Sequence, residues 1–145
     1  MKIREIHQDE LPQLLALYTH LHDNPMPDIN DTIKTLWNKI ISDTDHHVIV
    51  GVENDEIISS CVLLITPNLT HGQRPYALIE NVVTHAHHRN KGYATRILAF
   101  SREIALQNNC YKIMLMTGSK DEHTLQFYEH AGYNQHDKKA FIQWL

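Results

Sequence analysis

Apolar residues in the first third of the chain follow the spacing of a short strand and then of two helices. Residues 2–6 predict a strand, and the next apolar residues recur every three or four positions, which indicates an amphipathic helix capped by Asp9. The prolines of HDNPMPD interrupt that helix, and Asp31 can cap a second one. The predicted apolar faces comprise Leu11, Leu14, Leu15, Tyr18 and Leu21 in the first helix, and Ile33, Leu36, Trp37, Ile40 and Ile41 in the second.

Runs of branched apolar residues then predict three strands. Residues 47–52 and 57–66 flank the polar stretch 53–56, a pattern typical of a β-hairpin. After a polar loop, YALIENVVT at 76–84 is predicted to be the third strand of the series. Its apolar residues fall on both faces, which indicates burial inside the sheet.

The second half of the chain predicts helices and strands in alternation. A stripe of apolar and small residues predicts a long helix over 92–108, and YKIMLMT at 111–117 predicts a strand. Residues 121–131 predict a shorter helix that Gly132 closes.

Two final strands are predicted at 133–136 and 140–145, around the turn DKK. The complete predicted order is βααβββαβαββ, without a repeat, a linker or a low-complexity tract. We therefore expect one domain spanning residues 1–145, which is long enough to bury a substantial core.

Composition limits the classes of function that fit. The 145 residues carry 13 Lys and Arg against 17 Asp and Glu, a formal charge of −4, so we expect no general electrostatic binding of nucleic acid. The first ten residues are charged where a signal peptide would be apolar, and no apolar run approaches a membrane span. A cytoplasmic protein without a membrane partner is expected. The spacing of Cys61 and Cys110 suggests neither zinc binding nor a redox motif.

The stretch VVTHAHHRNKGYATRIL, residues 82–98, joins the third strand of that series to the long helix through a basic loop. Strand, glycine loop and helix form an arrangement that binds pyrophosphate, because N–H groups of the first helical turn converge where the helix dipole is positive. Gly92 lets the backbone approach a phosphate oxygen, and Arg89 and Lys91 can add charged donors. The spacing fits neither a P-loop nor a dinucleotide fingerprint, and a solvated basic turn is the structural alternative.

Three histidines in the same stretch raise the alternative of a metal site. His85, His87 and His88 are predicted to lie in a loop where no helix or strand sets their geometry, and no Cys or carboxylate accompanies them at a zinc spacing. We therefore expect no bound metal.

Two motifs in this order resemble the GNAT family of N-acetyltransferases. The first is the signature R/Q-x-x-G-x-G/A, which reads RNKGYA at residues 89–94. The second is TLQFYEHAGY at 124–133, which resembles the late helix of that family. The resemblance covers most of the chain and implies the GNAT fold, an α/β (α+β) architecture with a central mixed, mostly antiparallel twisted sheet flanked by helices. It also implies acetyl-CoA as cosubstrate.

The resemblance assigns roles to individual residues. It implies that main-chain groups of the late part of the strand pair with the pantetheine arm and that N–H groups of the following loop surround the pyrophosphate. The implied coenzyme contacts are Val82, Val83 and Thr84 for the arm, and Arg89, Asn90, Lys91, Gly92, Tyr93, Ala94 and Thr95 for the phosphates. Tyr128 matches the tyrosine near the thioester sulfur. Asp121 stands seven positions earlier, where the family usually has Asn, so that side-chain contact is not carried over.

Acetyl transfer to an amine needs a neutral amine, an oriented carbonyl and a proton for the leaving thiolate. An N–H at Val82 or Val83 could bind the carbonyl oxygen, and Tyr128 could serve the thiolate; as a structural alternative, Tyr128 is an ordinary core aromatic. Glu80, a carboxylate within an apolar strand, is the candidate base, against the alternatives that it points outward or pairs with an arginine. Strand alternation places Glu80 and Asn81 on opposite faces unless a bulge intervenes.

Two functions follow. The first is an acetyl-CoA-dependent N-acetyltransferase that acts by direct transfer on a primary amine, with a small-molecule acceptor favoured over a peptide. The alternative is a non-catalytic acyl-CoA-binding sensor of the same fold. The acceptor wall is expected from the HLHDNPMPD break and the HGQRP loop. A homodimer is common in the family, although no exposed stripe in the sequence establishes one.

Overall fold

A five-stranded mixed sheet organises the computed structural model of the protein, which describes residues 1–22 and 24–145. The strands lie in the order of the chain; the first three pairs are antiparallel and the last pair is parallel. The strands are β1 Lys2–Glu5, β2 His46–Glu53, β3 Glu56–Thr66, β4 Tyr76–Thr84 and β5 Ile113–Leu115. The mixed, mostly antiparallel sheet confirms the predicted fold class.

Helices cover both faces of the sheet because its central strands are apolar on both sides. In β2, Val48 and Val50 pack with the first two helices, whereas Ile49 between them packs with the third. The helices are α1 Leu11–Tyr18, α2 Asp31–Ser42, α3 Tyr93–Gln107 and α4 Glu122–His130. Within the described ranges, no helix is long and apolar enough to cross a membrane.

Both early helices begin differently from the prediction. A 3₁₀ turn at Gln8–Glu10 precedes α1, and Glu10, not Asp9, accepts a hydrogen bond from the His7 N–H at 2.8 Å. Asn30 caps α2, because its extended backbone lets the side-chain oxygen accept from the Ile33 N–H at 3.0 Å.

One residue of the predicted apolar face of α2 is also misplaced. Leu36 is 56% exposed, whereas Trp37 is 6% exposed and donates its indole N–H to the Gln8 carbonyl at 2.8 Å. The large ring, with a main-chain partner for its polar nitrogen, therefore faces the sheet.

The hairpin and β4 confirm the prediction closely. Asn54 and Asp55 turn the chain between β2 and β3 with positive φ values of 51° and 64°, as a two-residue hairpin turn requires. The strand predicted at 76–84 is β4 with the same bounds.

The two final predicted strands, 133–136 and 140–145, are wrong for this structure. Neither segment joins the sheet, and Gln135 instead donates to the Glu129 carboxylate on α4 at 2.9 Å. The strand predicted at 111–117 is shortened to the three residues of β5. Alternating apolar residues favour a strand only where a partner strand pairs with them, and the described residues 133–145 pair with none.

Candidate active site

The candidate site lies where β4 separates from β5. These parallel strands pair only at Ala77–Ile113, Leu78–Met114 and Ile79–Leu115. Among the residues the structure describes, the rest of β4, 80–84, has no strand on that side. The sheet therefore opens into a gap along the second half of β4.

A β-bulge in β4 coincides with the start of this gap. Glu80 pairs with Val62 and Val83 pairs with Ser60, so Asn81 and Val82 together oppose the single residue Cys61. Asn81 adopts the left-handed conformation with φ 53°, which asparagine tolerates better than a branched residue does.

The bulge changes which side chains share a face. Val82 packs on the core beneath α3, whereas the next residue, Val83, lies in the core beneath α1 and α2. Glu80, opposite Val62, lies on the α1 face, and Asn81 lines a cavity with residues of α1. Glu80 and Asn81 therefore share a face, which strict alternation would have prevented.

The loop before α3 forms a concave array of main-chain N–H groups. Asn90 and Gly92 have positive φ values of 61° and 73°, and Gly92 is the residue before the first helical turn. The Arg96 N–H donates to the Gly92 carbonyl at 3.2 Å, so the three N–H groups before it, at residues 93–95, have no intrahelical acceptor. In the described part of the chain, no acceptor engages the N–H groups of residues 90–92 either.

This array has the geometry of an anion site. Successive N–H groups around left-handed residues form a nest, and the N-terminus of a 15-residue helix adds the positive end of its dipole. A Cβ placed on Gly92 would meet no atom within 4 Å, so the space beside this residue is open. The residues present thus fit a pyrophosphate.

The sequence predicts that Arg89 offers charged donors and a free N–H to a phosphate, but in the structure most of these groups bind main-chain carbonyls. Its Nε and Nη2 donate to the Thr84 and His20 carbonyls at 3.3 Å each, and its N–H donates to the Ala86 carbonyl at 3.5 Å. Arg89 therefore ties the loop to the ends of β4 and α1, and the free N–H series begins at Asn90. Lys91 is exposed beside it.

Tyr93 anchors the same loop through its side chain. Its hydroxyl donates to the Glu53 carboxylate at 3.1 Å, and His88 Nδ1 lies 3.6 Å from the same carboxylate. Partial burial alone would raise the pKa of Glu53, but the hydrogen bond from Tyr93 and the nearby cationic groups lower it overall. A charged Glu53 thus holds the first residue of α3.

Tyr128 lies on the other face of the sheet from Glu80. Its half-buried ring packs on the core beneath α3, 4.9 Å from the Phe127 ring and 6.3 Å from the Tyr133 ring between centroids. Burial raises the pKa of its phenol, and nearby Cys61 adds to that rise. A phenol that stays protonated on this side of the gap can act as a proton donor.

Asp121 caps α4. Its Oδ2 accepts from both the N–H and the hydroxyl of Thr124, each at 3.2 Å. The side chain is therefore used within the helix terminus, in agreement with leaving it out of the coenzyme contacts.

A cavity of about 310 Å³ opens on the α1 face beside the bulge. The Tyr18 phenol and the Asn81 carboxamide supply polar groups to its wall. The remaining lining residues are Leu15, Leu21, Asn24, Pro25 and Pro27. The expected HLHDNPMPD break therefore does line a cavity; its residue Asp23 lies outside the described residues.

Sequence reasoning missed two polar residues of this cavity wall, Tyr18 and Asn81. Burial raises the pKa of the Tyr18 phenol to about 12, and the neighbouring Ser60 hydroxyl and Asn81 carboxamide oppose that rise. Ser60 is fully buried, and its hydroxyl has no hydrogen-bond partner among the described residues. The available signals were a tyrosine at the end of an apolar helical stripe and an asparagine inside an apolar strand.

The HGQRP loop lies elsewhere. Arg74 donates to the Asn109 and Cys110 carbonyls at 3.1 and 3.0 Å, and His71 stacks on Tyr111 with 4.0 Å between ring centroids. These contacts hold the loop at the start of β4, whereas the gap is at its end.

The histidines form a loose cluster. The ring centroid of His85 lies 4.2 Å from that of His20, 5.3 Å from that of His87 and 5.6 Å from that of His88. In the ranges the structure describes, no three His, Cys, Asp or Glu side chains are placed to hold a metal.

Comparison with known proteins agrees with this geometry. Residues 3–133 match the model of the family described as the acetyltransferase (GNAT) family. A glucosamine 6-phosphate N-acetyltransferase from Trypanosoma brucei brucei is 27% identical over 145 residues, covering 96% of this chain and 92% of that protein.

Solved structures with the same fold include a putative acetyltransferase from Agrobacterium tumefaciens. It is 34% identical with a TM-score of 0.91, and the match covers 99% of this chain and 100% of that one. A glucosamine-6-phosphate N-acetyltransferase from Arabidopsis thaliana is 21% identical with a TM-score of 0.85, over 99% and 97% of the two chains, and shows likeness of fold alone.

Proposed function

This chain belongs to the acetyltransferase (GNAT) family and is an N-acetyltransferase, and we propose that it moves the acetyl group of acetyl-CoA directly to a primary amine of a small molecule. The observation that carries the proposal is the open N–H array at residues 90–95, placed at the end of the gap between β4 and β5. The array suits a diphosphate, and the gap suits an extended arm that ends at a reactive carbonyl.

The coenzyme would lie along the open side of β4. N–H groups of residues 90–95 would hold the pyrophosphate, and main-chain groups of Val82, Val83 and Thr84 would pair with the pantetheine amides as a neighbouring strand does. Bound in this way, acetyl-CoA supplies an activated acetyl group next to the bulge. Arg89 and Tyr93 then act by holding the loop in position.

The acceptor would enter from the α1 face. The cavity of about 310 Å³ is of small-molecule size, and its lining provides polar groups at Tyr18 and Asn81. Glu80 lies on the same face and can attract an amine. The relative that acts on glucosamine 6-phosphate supports a small acceptor of this kind.

Transfer would proceed across the sheet. Glu80, through water, takes a proton from the amine, whose nitrogen forms the new bond to the acetyl carbon while the carbon–sulfur bond breaks. An N–H at Val82 or Val83 donates to the carbonyl oxygen as negative charge develops there. Tyr128, on the opposite face, donates a proton to the departing sulfur. Acid and base thus act from opposite sides of the gap.

Thiol release tests the proposal directly. Free CoA thiol should appear when the protein and acetyl-CoA meet an acceptor in a screen of amino sugars, polyamines, amino acids and peptides. Coenzyme binding without thiol release for any amine would support the sensor alternative. Absence of coenzyme binding in calorimetry would contradict both.

Glu80→Gln tests the base. The amide keeps the shape but cannot accept the amine proton, so kcat/KM at neutral pH should fall about tenfold, a modest effect for a general base because water can partly substitute at a half-buried group. Glu103→Gln, on the exposed surface of α3, serves as the matched control. An unchanged kcat/KM for Glu80→Gln would assign the proton to bulk water.

Tyr18→Phe tests the acceptor cavity. The variant keeps the ring but loses one hydroxyl, and because a hydrogen bond contributes about 1 kcal/mol, KM for the amine should rise about fivefold. The dissociation constant of acetyl-CoA should stay the same. Tyr111→Phe, at the other end of β4, should change neither quantity. An equal loss of amine and coenzyme affinity in Tyr18→Phe would contradict the assignment.

A further inference from the structure

The cavity of about 310 Å³ beside the β4 bulge, which we call the Tyr18 cavity, has a mainly apolar wall. Two leucines, Leu15 and Leu21, and two prolines, Pro25 and Pro27, form most of that wall. Its polar groups are the Tyr18 phenol and two asparagine carboxamides, which are uncharged. Within the described ranges 1–22 and 24–145, no lysine, arginine or histidine lines the cavity.

The Tyr18 phenol shows that this wall disfavours negative charge. Burial raises the pKa of the phenol to about 12, although the Ser60 hydroxyl and the Asn81 carboxamide oppose that rise. A carboxylate or phosphate of a ligand would lose its hydration at the same wall, with no cation there to replace it. The wall that keeps Tyr18 protonated should therefore also reject an anionic ligand.

The charge beside the cavity has the same effect. Glu80 precedes Asn81 and lies on the same face of the sheet, so its carboxylate attracts an ammonium group and repels an anion. Arg89 reaches the His20 carbonyl beyond the end of α1, but it does not line the cavity, and its Nε and Nη2 donate to main-chain carbonyls. A cationic amine with an uncharged body suits this distribution of charge.

We propose that the acceptor is a primary amine carried on a small, uncharged and mainly apolar body, such as an aryl or branched aliphatic group, without a phosphate or a carboxylate. This inference rests on the proposed function and deepens it. The amine would lie towards Glu80 and the body against Leu15 and Leu21. A cavity of this volume is at the lower end of the range for small-molecule sites, which favours a compact body.

Initial rates of CoA thiol release with matched acceptors test the class. Phenethylamine and isoamylamine should exceed glucosamine in kcat/KM by about tenfold or more, because a polyol loses hydration at an apolar wall. Glucosamine should exceed glucosamine 6-phosphate, the acceptor named for the relative from Trypanosoma brucei brucei, by a similar factor. Phenylalaninamide should also exceed phenylalanine, because the carboxamide and the carboxylate have nearly the same shape and differ in charge.

Leu21→Lys tests whether the cavity itself selects against anions. The added ammonium should raise the kcat/KM ratio of glucosamine 6-phosphate to glucosamine about tenfold, because it replaces the lost hydration of the phosphate. Leu106→Lys adds the same charge at an exposed position of α3, on the other side of the sheet, and should leave the ratio unchanged. A thermal transition verifies folding, and Leu15→Lys, at a second half-buried position of the wall, repeats the test.

The outcomes separate this inference from the proposed function. A higher kcat/KM for glucosamine 6-phosphate than for glucosamine, or equal values for phenylalanine and its amide, would overturn the inference and leave acetyl transfer to amines in place. An equal change of the ratio in Leu21→Lys and Leu106→Lys would also overturn it, because overall charge and not the cavity would then select the acceptor. Absence of thiol release with every amine would contradict the proposed function, and this inference with it.

Discussion

Replacing Gly92 by valine is expected to lower the affinity for acetyl-CoA about 100-fold, which corresponds to ~2.7 kcal/mol of binding free energy. Gly92 holds a φ of 73° at the entrance of α3, and a β-branched residue is strongly strained there. The valine side chain would also occupy space that is empty beside Gly92. Calorimetric titration with CoA measures the loss.

Gly72→Val separates strain from loss of the site. Gly72 has nearly the same conformation, φ 67°, and open space around its Cβ position, but it lies in the loop before β4, far along the strand from the gap. Both variants should lose a similar free energy of unfolding. Only Gly92→Val should lose the coenzyme, and equal coenzyme affinities in the two variants would refute the phosphate assignment.

Tyr128→Phe is expected to reduce kcat about 100-fold with little change in coenzyme affinity. The expected size follows from the usual contribution of a positioned general acid. The substitution keeps the packing against Phe127 and removes only the proton that the departing sulfur would receive. Steady-state kinetics with a saturating amine gives kcat, and calorimetry gives the dissociation constant.

Tyr133→Phe is the matched control, because its ring meets the Tyr128 ring edge-on at 6.3 Å and packs on the same core. Burial raises the pKa of the Tyr133 phenol as well, so the two residues differ mainly in their proposed role. Tyr133→Phe should retain kcat. Similar losses in both variants would point to packing as the cause, and full activity of Tyr128→Phe would exclude it as the acid.

The pH dependence of kcat should also reflect the role of Tyr128 as proton donor. Because burial raises the pKa of Tyr128 above its ordinary value of about 10, the phenol stays protonated through neutral and mildly alkaline pH. Its contribution to kcat should therefore persist as pH rises and disappear only in strong alkali. In Tyr128→Phe, this alkaline decrease of kcat should be absent.

The parts of the fold that were predictable from sequence are those whose partners are close in the chain. The hairpin turn at Asn54 and Asp55 needs only its two flanking strands, and β4 combines high β-propensity with burial on both faces. The end of α4 at Gly132 likewise depends on a local left-handed residue.

The predictions are wrong where a competing local interaction or a distant one determines the structure. Asn30 and Asp31 are both good caps, and the choice of Asn30 depends on the backbone of the preceding proline loop. The alternation of residues 140–145 favours a strand, but alternation carries no information about where the partner strand is.

The candidate site likewise combines local features that the sequence predicts with long-range contacts that it does not. The left-handed loop at Gly92 was recognisable because an array of N–H groups before a helix is built from consecutive main-chain groups. The cavity wall formed by Tyr18 and Asn81 was not recognisable from sequence. It joins residues far apart in the chain and depends on a bulge that no local pattern indicates. The hydrogen bond from the Arg89 side chain to the His20 carbonyl is a long-range contact of the same kind.

The extra residue at Asn81 has a consequence for the evolution and redesign of the protein. It places Glu80 and Asn81 on the α1 face, where we propose that the amine binds, whereas Tyr128, the proposed acid, packs on the core beneath α3. If the amine binds in the Tyr18 cavity as proposed, mutations there should change acceptor preference and leave coenzyme affinity the same. New acceptor specificities are therefore best sought among residues 15–27 and not in the glycine loop.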